Sequence, residues 1–137
     1  MMADYASLQS GIETVITGAG YVVSPAGDNP EQIPANGEGS WIAVNLEPVP
    51  GITASNGYAR EAHQCTLSMI TAITADRNAS KRTALDRALV LRELLDSGSA
   101  LSSVSAHSVC DEYSITDTGD SIVSSASFTI NATTTVS

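Results

Sequence analysis

The sequence predicts an α+β domain, a mostly antiparallel sheet with two helices packed on one face and a long C-terminal β-hairpin. Three observations predict it. Apolar residues recur at spacings of three and four near the N-terminus, they do so again between Leu85 and Leu95, and they alternate with polar ones from Ile122 to Val136. At 137 residues and 42% hydrophobic content the chain can fill one core but hardly two, so residues 1–137 are expected to form a single domain. Aromatic residues make up only 4%, with Trp41 and Phe128 alone of their types, which leaves the core to Ile, Val, Leu and Ala.

Taken in order, Tyr5, Leu8, Ile12, Val15, Ile16 and Ala19 form one stripe of a helix starting near Asp4, and Gly18 and Gly20 stop it. Tyr21-Val22-Val23 reads as a short strand. Ser24 to Ser40 holds Pro25, Pro30, Pro34 and three glycines, and is expected to be a long loop, mobile in the isolated chain. Trp41 to Leu46 reads as a second strand, ended by Pro48 and Pro50, which have no N–H for a ladder. Gly51 to Gly57 would then be another loop. Tyr58 to Ile73 alternates as a long strand, with His63, Cys65, Leu67, Met69 and Ile73 on one face and Ala62, Gln64, Thr66, Ser68 and Ile70 on the other.

Asn78, Ser80 or Thr83 can cap a second helix, which carries Leu85, Ala88, Leu89, Arg92 and Leu95 and stops at Gly98. Val90, Leu91 and Leu94 broaden its apolar surface, so it should lie deep against the sheet. The hairpin follows as Val104 to Ile115, a turn at Asp117-Thr118-Gly119-Asp120, and the strand Ile122 to Val136. The last strand puts Ile122, Ser124, Ala126, Phe128, Ile130, Ala132, Thr134 and Val136 on one face. Fully extended it would reach about 50 Å, beyond the roughly 35 to 40 Å diameter of a compact domain of this size. It must therefore bend, be interrupted or leave the body, and a second chain is a natural place for the overhang.

Charge narrows the class of partner. Fifteen acids face 6 bases for a net charge of −9, whereas a groove gripping phosphates needs the opposite balance. Tight nucleic-acid binding is not expected. Acidity also suits a wall past which DNA slides without sticking, and equally a surface that is simply soluble. Met1-Met2-Ala3-Asp4-Tyr5 lacks a basic leader region and no stretch approaches a membrane span, so the expectation is a protein made and kept in a cytoplasm, with no membrane partner.

Candidate chemistry is sparse. His63-x-Cys65 and His107-x-x-Cys110 offer four metal-ligand types, but His107 and Cys110 point to opposite faces of a regular strand, and no tight C-x2-C knuckle is present. Metal is not expected. A Cys65–Cys110 disulfide would need adjoining strands, and a reducing cytoplasm would leave both as thiols. G-x-S-x-G is absent, and His107 beside Asp111 and Glu112 is local proximity, so no catalytic residue is assigned. Gly18-Ala19-Gly20 follows a helix and lacks a third glycine, unlike a dinucleotide-binding turn, and no cofactor is expected. Arg77, Lys81, Arg82 and Arg87 cluster in the first half of the second helix, beginning where the dipole disfavours cations, which marks them as candidate subunit-interface residues. Asp76 and Asp86 offer a local explanation instead.

The element order is distinctive: an N-terminal helix, a Pro/Gly-rich loop, Trp41-Ile42-Ala43-Val44, a long strand through Gln64-Cys65-Thr66-Leu67, the helix Ala84-Leu85-Asp86-Arg87-Ala88-Leu89, then a hairpin. With the small size, the acidity and the Ser/Thr/Ala richness, this layout resembles the tail terminator (tail completion) proteins of long-tailed bacteriophages. The resemblance spans nearly the whole chain and rests on layout, with no single diagnostic motif. It implies a structural, non-enzymatic virion protein, assembled in the host bacterial cytoplasm and located at the head-proximal end of the tail. There a homohexameric ring would cap the tail tube, stop its polymerisation and offer a joining surface to the head-completion or neck protein. Related folds serve as tail tube and neck subunits, which stand as the alternative, with a small metal-binding or enzymatic domain behind them. On the ring reading, the loops Ser24 to Ser40 and Pro48 to Gly57 are expected to make intersubunit or axial contacts. Several acids are expected to face a lumen that lets DNA pass.

Overall fold

The computed structural model describes residues 5–25, 27–55, 58–95, 101 and 106–135. The element order is α1 (Tyr5–Gly18), β1 (Val22–Val23), β2 (Trp41–Ser55), β3 (Tyr58–Ala72), α2 (Arg77–Leu95), β4 (Ala106–Asp117) and β5 (Ser121–Thr135). The strands form one five-stranded sheet in the order β1-β2-β3-β5-β4, in which the short β1 is parallel to β2 and every other pairing is antiparallel. The expected α+β architecture is observed, including the C-terminal hairpin β4–β5. The expected helix start at Asp4, the stop at Gly98 and the strand ends at Val104 and Val136 lie outside the described residues.

The longest unbroken feature is the β3–β5 ladder, which runs without a slip from Tyr58 opposite Thr135 to Ala72 opposite Ser121. Side chains directly opposite share a face, so His63, Cys65, Leu67 and Met69 line up with Ile130, Phe128, Ala126 and Ser124. All eight are buried, and this is the face the helices cover. Leu8, Ile12 and Ile16 of α1 join Ile42 and Leu46 of β2, while Leu91 and Leu95 of α2 join Phe128 and Ile130 in the same cluster. The opposite face is a field of small polar groups, including the hydroxyl pair Ser68–Ser125 at 3.1 Å.

The N-terminal helix ends as its glycines require. Gly20 takes a positive φ of 91°, the Tyr21 N–H reaches the Ile16 carbonyl at 3.2 Å, and the Gly20 N–H reaches Thr17 at 3.1 Å, a Schellman closure. At the hairpin turn, Gly119 has φ 98° and its N–H donates to the Asp117 side chain at 2.8 Å.

Two expectations need correction. The proline stop at Pro48 does not hold, because β2 continues to Ser55 and its second half forms a hairpin with β3 in place of the loop expected from Gly51 to Gly57. The reason is parity. The Ile42 carbonyl accepts from Ser24 on the β1 side, so the backbone groups at every second residue onward, Pro48 included, point away from β3. Pro48 therefore removes no hydrogen bond of the β2–β3 ladder, and Pro50 falls with Gly51 in the register shift between Val49 and Ile52. The second correction concerns the start of α2. None of the three expected caps is used; the Asp76 side chain accepts from the Ala79 N–H at 3.1 Å, and Ser80 instead turns inward to the Thr74 N–H at 3.0 Å.

The segment 24–40 contains two 3-10 turns, Pro30–Gln32 and Ala35–Gly37, and is pinned by the buried Ile33. Gly37 lies so close under Trp41 that a Cβ there would come within 2.6 Å of the ring.

Phe128 sits at the centre of the core, fully buried and opposite both Cys65 and Cys110. Phe128→Ala is expected to destabilise the domain by about 3 to 5 kcal/mol, a large fraction of the roughly 5 to 15 kcal/mol typical of a whole domain. The midpoint of urea unfolding followed by circular dichroism measures it.

Candidate functional site

Helix α2 carries five of the chain's 6 bases, Arg77, Lys81, Arg82, Arg87 and Arg92. Its buried residues are Ser80, Ala84, Ala88, Leu91 and Leu95, a stripe rotated from the expected one, in which Leu85 is 44% exposed. The stripe rests on β3, β5 and β4 and is tied there by side chain to backbone bonds. The Ser124 hydroxyl donates to the Ala84 carbonyl at 2.6 Å, and the Ser108 hydroxyl to that of Leu95. Buried serines on an apolar face are thereby satisfied, and each fixes one half of the helix.

This placement separates the four candidate interface residues. Arg87, half-buried, turns inward: its Nη1 donates to Thr71 Oγ1 at 2.7 Å, to the Ile70 carbonyl at 3.2 Å and to Glu38 at 3.3 Å. It clamps α2, the end of β3 and the 24–40 segment together. Arg77 reaches across to β4 and pairs with Asp117 at 2.5 Å. The Gly119 N–H, with Arg77 and Lys81 beside it, holds the Asp117 carboxyl below its usual range. Lys81 and Arg82 are exposed. Arg92 lies over the Tyr113 ring on β4, 5.4 Å from its centroid. Lys81, Arg82, Leu85, Leu89 and Arg92 thus form one ridge on the side of α2 turned toward β4.

The cysteine and histidine pairs do not converge. Cys65 and Cys110 both lie opposite Phe128, one on each side of β5, two strand spacings or roughly 9 to 10 Å apart, which is too far for a disulfide. Neither is in a disulfide. His63 is level with Ile130 and His107 with Asn131, which puts the two imidazoles on opposite faces of the sheet. The β4 bulge leaves Asp111 between Cys110 and Glu112, where its carboxylate accepts the Thr129 hydroxyl at 2.6 Å. Among the described residues no group of three or more His, Cys, Asp or Glu is placed to hold a metal ion, and no helix is long and apolar enough to cross a membrane.

At the other edge of the sheet, a groove of about 490 Å³ runs along β2 beyond the end of β1. Val23 and Val44 supply its apolar walls, and Glu13 of α1, Asp28 of the loop and Glu47 of β2 give it an acidic character. Sequence reasoning did not find it, since these acids come from three separate elements with no common local pattern. No family model matches the chain, and no curated protein matches it.

Two predictions follow from these placements. Arg87→Ala is expected to cost about 2 to 4 kcal/mol by leaving the Thr71 and Ile70 oxygens without their cation, and Arg87→Lys to recover only part of it, because one ammonium cannot reproduce the guanidinium's reach. Thermal unfolding of both variants measures this. Burial pushes the Cys65 thiol from 9.0 up to about 12. The raised value keeps the proton on the folded chain while the unfolded chain loses it. Stability is thus fully present below about pH 9 and falls by up to about 1.4 kcal/mol per pH unit toward pH 12. Urea midpoints at stepped pH should fall more steeply above pH 9 for the wild type than for Cys65→Ala.

Proposed function

We propose that the chain is a structural protein that assembles into a closed ring and, following the layout resemblance, caps the tail tube of a long-tailed bacteriophage. The observation that carries this reading is how far the β3–β5 ladder runs past the end of α2. The last residue of α2, Leu95, is anchored at Ser108, level with Ile130 of β5 and His63 of β3. The β3–β5 ladder then continues from Asn131 opposite Ala62 to Thr135 opposite Tyr58, with β2 alongside as far as Ser55. Five further rungs, roughly 17 Å of three-stranded sheet, run past that anchor. A neighbouring copy covering this extension, repeated around an axis, closes a ring.

The helix-free face fits the same role. Asn45, Gln64, Thr66, Ser68, Ser125, Ser127 and Thr129 make it hydroxyl- and amide-rich, with Glu47 and Glu112 toward its margins. From Gln64 to Ser68 of β3 and from Ser125 to Thr129 of β5 this face carries no Lys or Arg, while Arg60 falls at the same parity further along β3. Turned toward a lumen, that central stretch gives passing DNA neither cations to bind nor large apolar groups to stack on. The lumen-facing acids of this reading are Asp111 and Glu112 at its β4 margin. A tail tube protein on one ring face and a head-completion or neck protein on the other are the partners of this reading, and the virion tail is its location.

Light scattering across a concentration series, with negative-stain imaging, is expected to show the mass rising to a plateau at about six copies and rings of that size. Added to purified tail tubes, the rings should sit at one end and stop elongation. Growth into long tubes at high concentration would instead identify a tube subunit, and a persistent monomer in the presence of tubes would refute the proposal.

A further inference from the structure

Two surfaces of opposite local charge lie toward opposite edges of the sheet, although Asp111, Glu112 and Asp117 also lie on β4 and Asp86 and Glu93 on α2. On the β4 side, the α2 ridge presents Lys81, Arg82 and Arg92 around Leu85, which is 44% exposed although it is a large aliphatic residue. On the β2 side lies the groove with Val23 and Val44 in its walls and Glu13, Asp28 and Glu47 around them. An exposed aliphatic residue framed by cations faces one way, and a largely polar groove with valines in its walls and three carboxylates around them faces the other. Lys81 to Arg92 spans about 17 Å of helix, three turns.

We infer that the Lys81–Leu85–Arg92 ridge of α2 seats in the β2 edge groove of a second copy of this chain. The occupant is a second copy because the complement to the groove is already on the molecule: α2 holds five of the 6 bases in a chain of net charge −9. The ridge cannot reach its own groove, since Arg92 lies over Tyr113 of β4 while the groove borders β2, three positions away in the strand order. The contact is therefore head to tail, leaving one ridge and one groove open on every dimer until a ring closes. Leu85 contributes apolar burial, while the flanking charges set register and exclude the ridge-to-ridge and groove-to-groove pairings that would give a closed dimer. The inference rests on the ring reading above and adds a second contact between neighbouring copies, beside the one that covers the sheet extension. Arg77 and Arg87 take no part, being held by Asp117 and by Glu38 and Thr71.

The test uses two charge-reversal variants of the full chain at exposed positions, a ridge variant (Lys81→Glu with Arg82→Glu) and a groove variant (Asp28→Lys with Glu47→Lys). Each alone should weaken self-association at least about a hundredfold by placing like charges face to face, with thermal unfolding of the monomer little changed. Mixed in equal amounts they should assemble again, because the acidic ridge of one fits the basic groove of the other and the remaining contact is wild type. Native mass spectrometry should then find only even-numbered, strictly one-to-one oligomers. Wild-type assembly should also dissociate as NaCl is raised toward 1 M, where screening shortens to about 3 Å, a readout that needs no folded variant. Variants that assemble as the wild type does, or assembly indifferent to salt, would overturn this contact while leaving the ring standing. A wild-type chain that is monomeric at every concentration would remove the ring reading and this contact together.

Discussion

The unbroken antiparallel pairing of β3 with β5 is the constraint on which the rest of the molecule depends. Fifteen consecutive residue pairs fix which side chains share a face, and a slip of one residue would send Cys65, Leu67, Phe128 and Ile130 to the helix-free side. Both irregularities of the sheet lie outside it, one in β2 at Pro50-Gly51 and one in β4 at Asp111. The two outer strands absorb strain and the central pair does not. Because the register is exact along its length, α2 can be fastened at two levels by Ser124 and Ser108 and still lay Ala84, Ala88, Leu91 and Leu95 flat on the sheet.

What was legible in the sequence followed from periodicity. The alternation of β3 and β5 and the stripe Leu8, Ile12 and Ile16 are local patterns that survive folding because burial on one face is what produced them. Where two local signals competed, the local reading failed. Pro48 looks like a strand terminator until the parity of the β2–β3 pairing shows that its missing N–H faces away from β3, a fact that depends on which side the neighbour lies. In α2 the leucines at 85 and 89 suggested one stripe, yet the small residues Ser80, Ala84 and Ala88 are the ones pressed against the sheet. Close approach of a helix to strands favours short side chains over long ones.

The candidate surfaces were partly legible for the same reason. The concentration of bases in residues 77–92 is visible in the chain itself, but its division into inward clamps and an outward ridge is not. Arg87 is internal only because Thr71, Ile70 and Glu38, distant in sequence, meet beside it. The acidic groove is a tertiary feature altogether, assembled from α1, the loop after β1, and β2.

Stability and assembly make separate demands on this small chain, and its residues divide accordingly. A core with a single Phe and no Trp at its centre gains stability chiefly from aliphatic burial, and the helix-covered face is built mainly of Ile, Leu, Ala, Met and Cys around the buried His63, Thr71, Ser108 and Ser124. Most of the remaining polar load is left to the helix-free face and to the edges. Along the middle of the face it is largely neutral, which leaves adjacent strands without charge repulsion. Toward the edges it is charged, and there charge can act without disturbing the β3–β5 register. The exposed bases Lys81 and Arg82 of α2 and the carboxylates of the β2 groove lie toward opposite margins of one sheet, so on the reading proposed above they can meet only between copies.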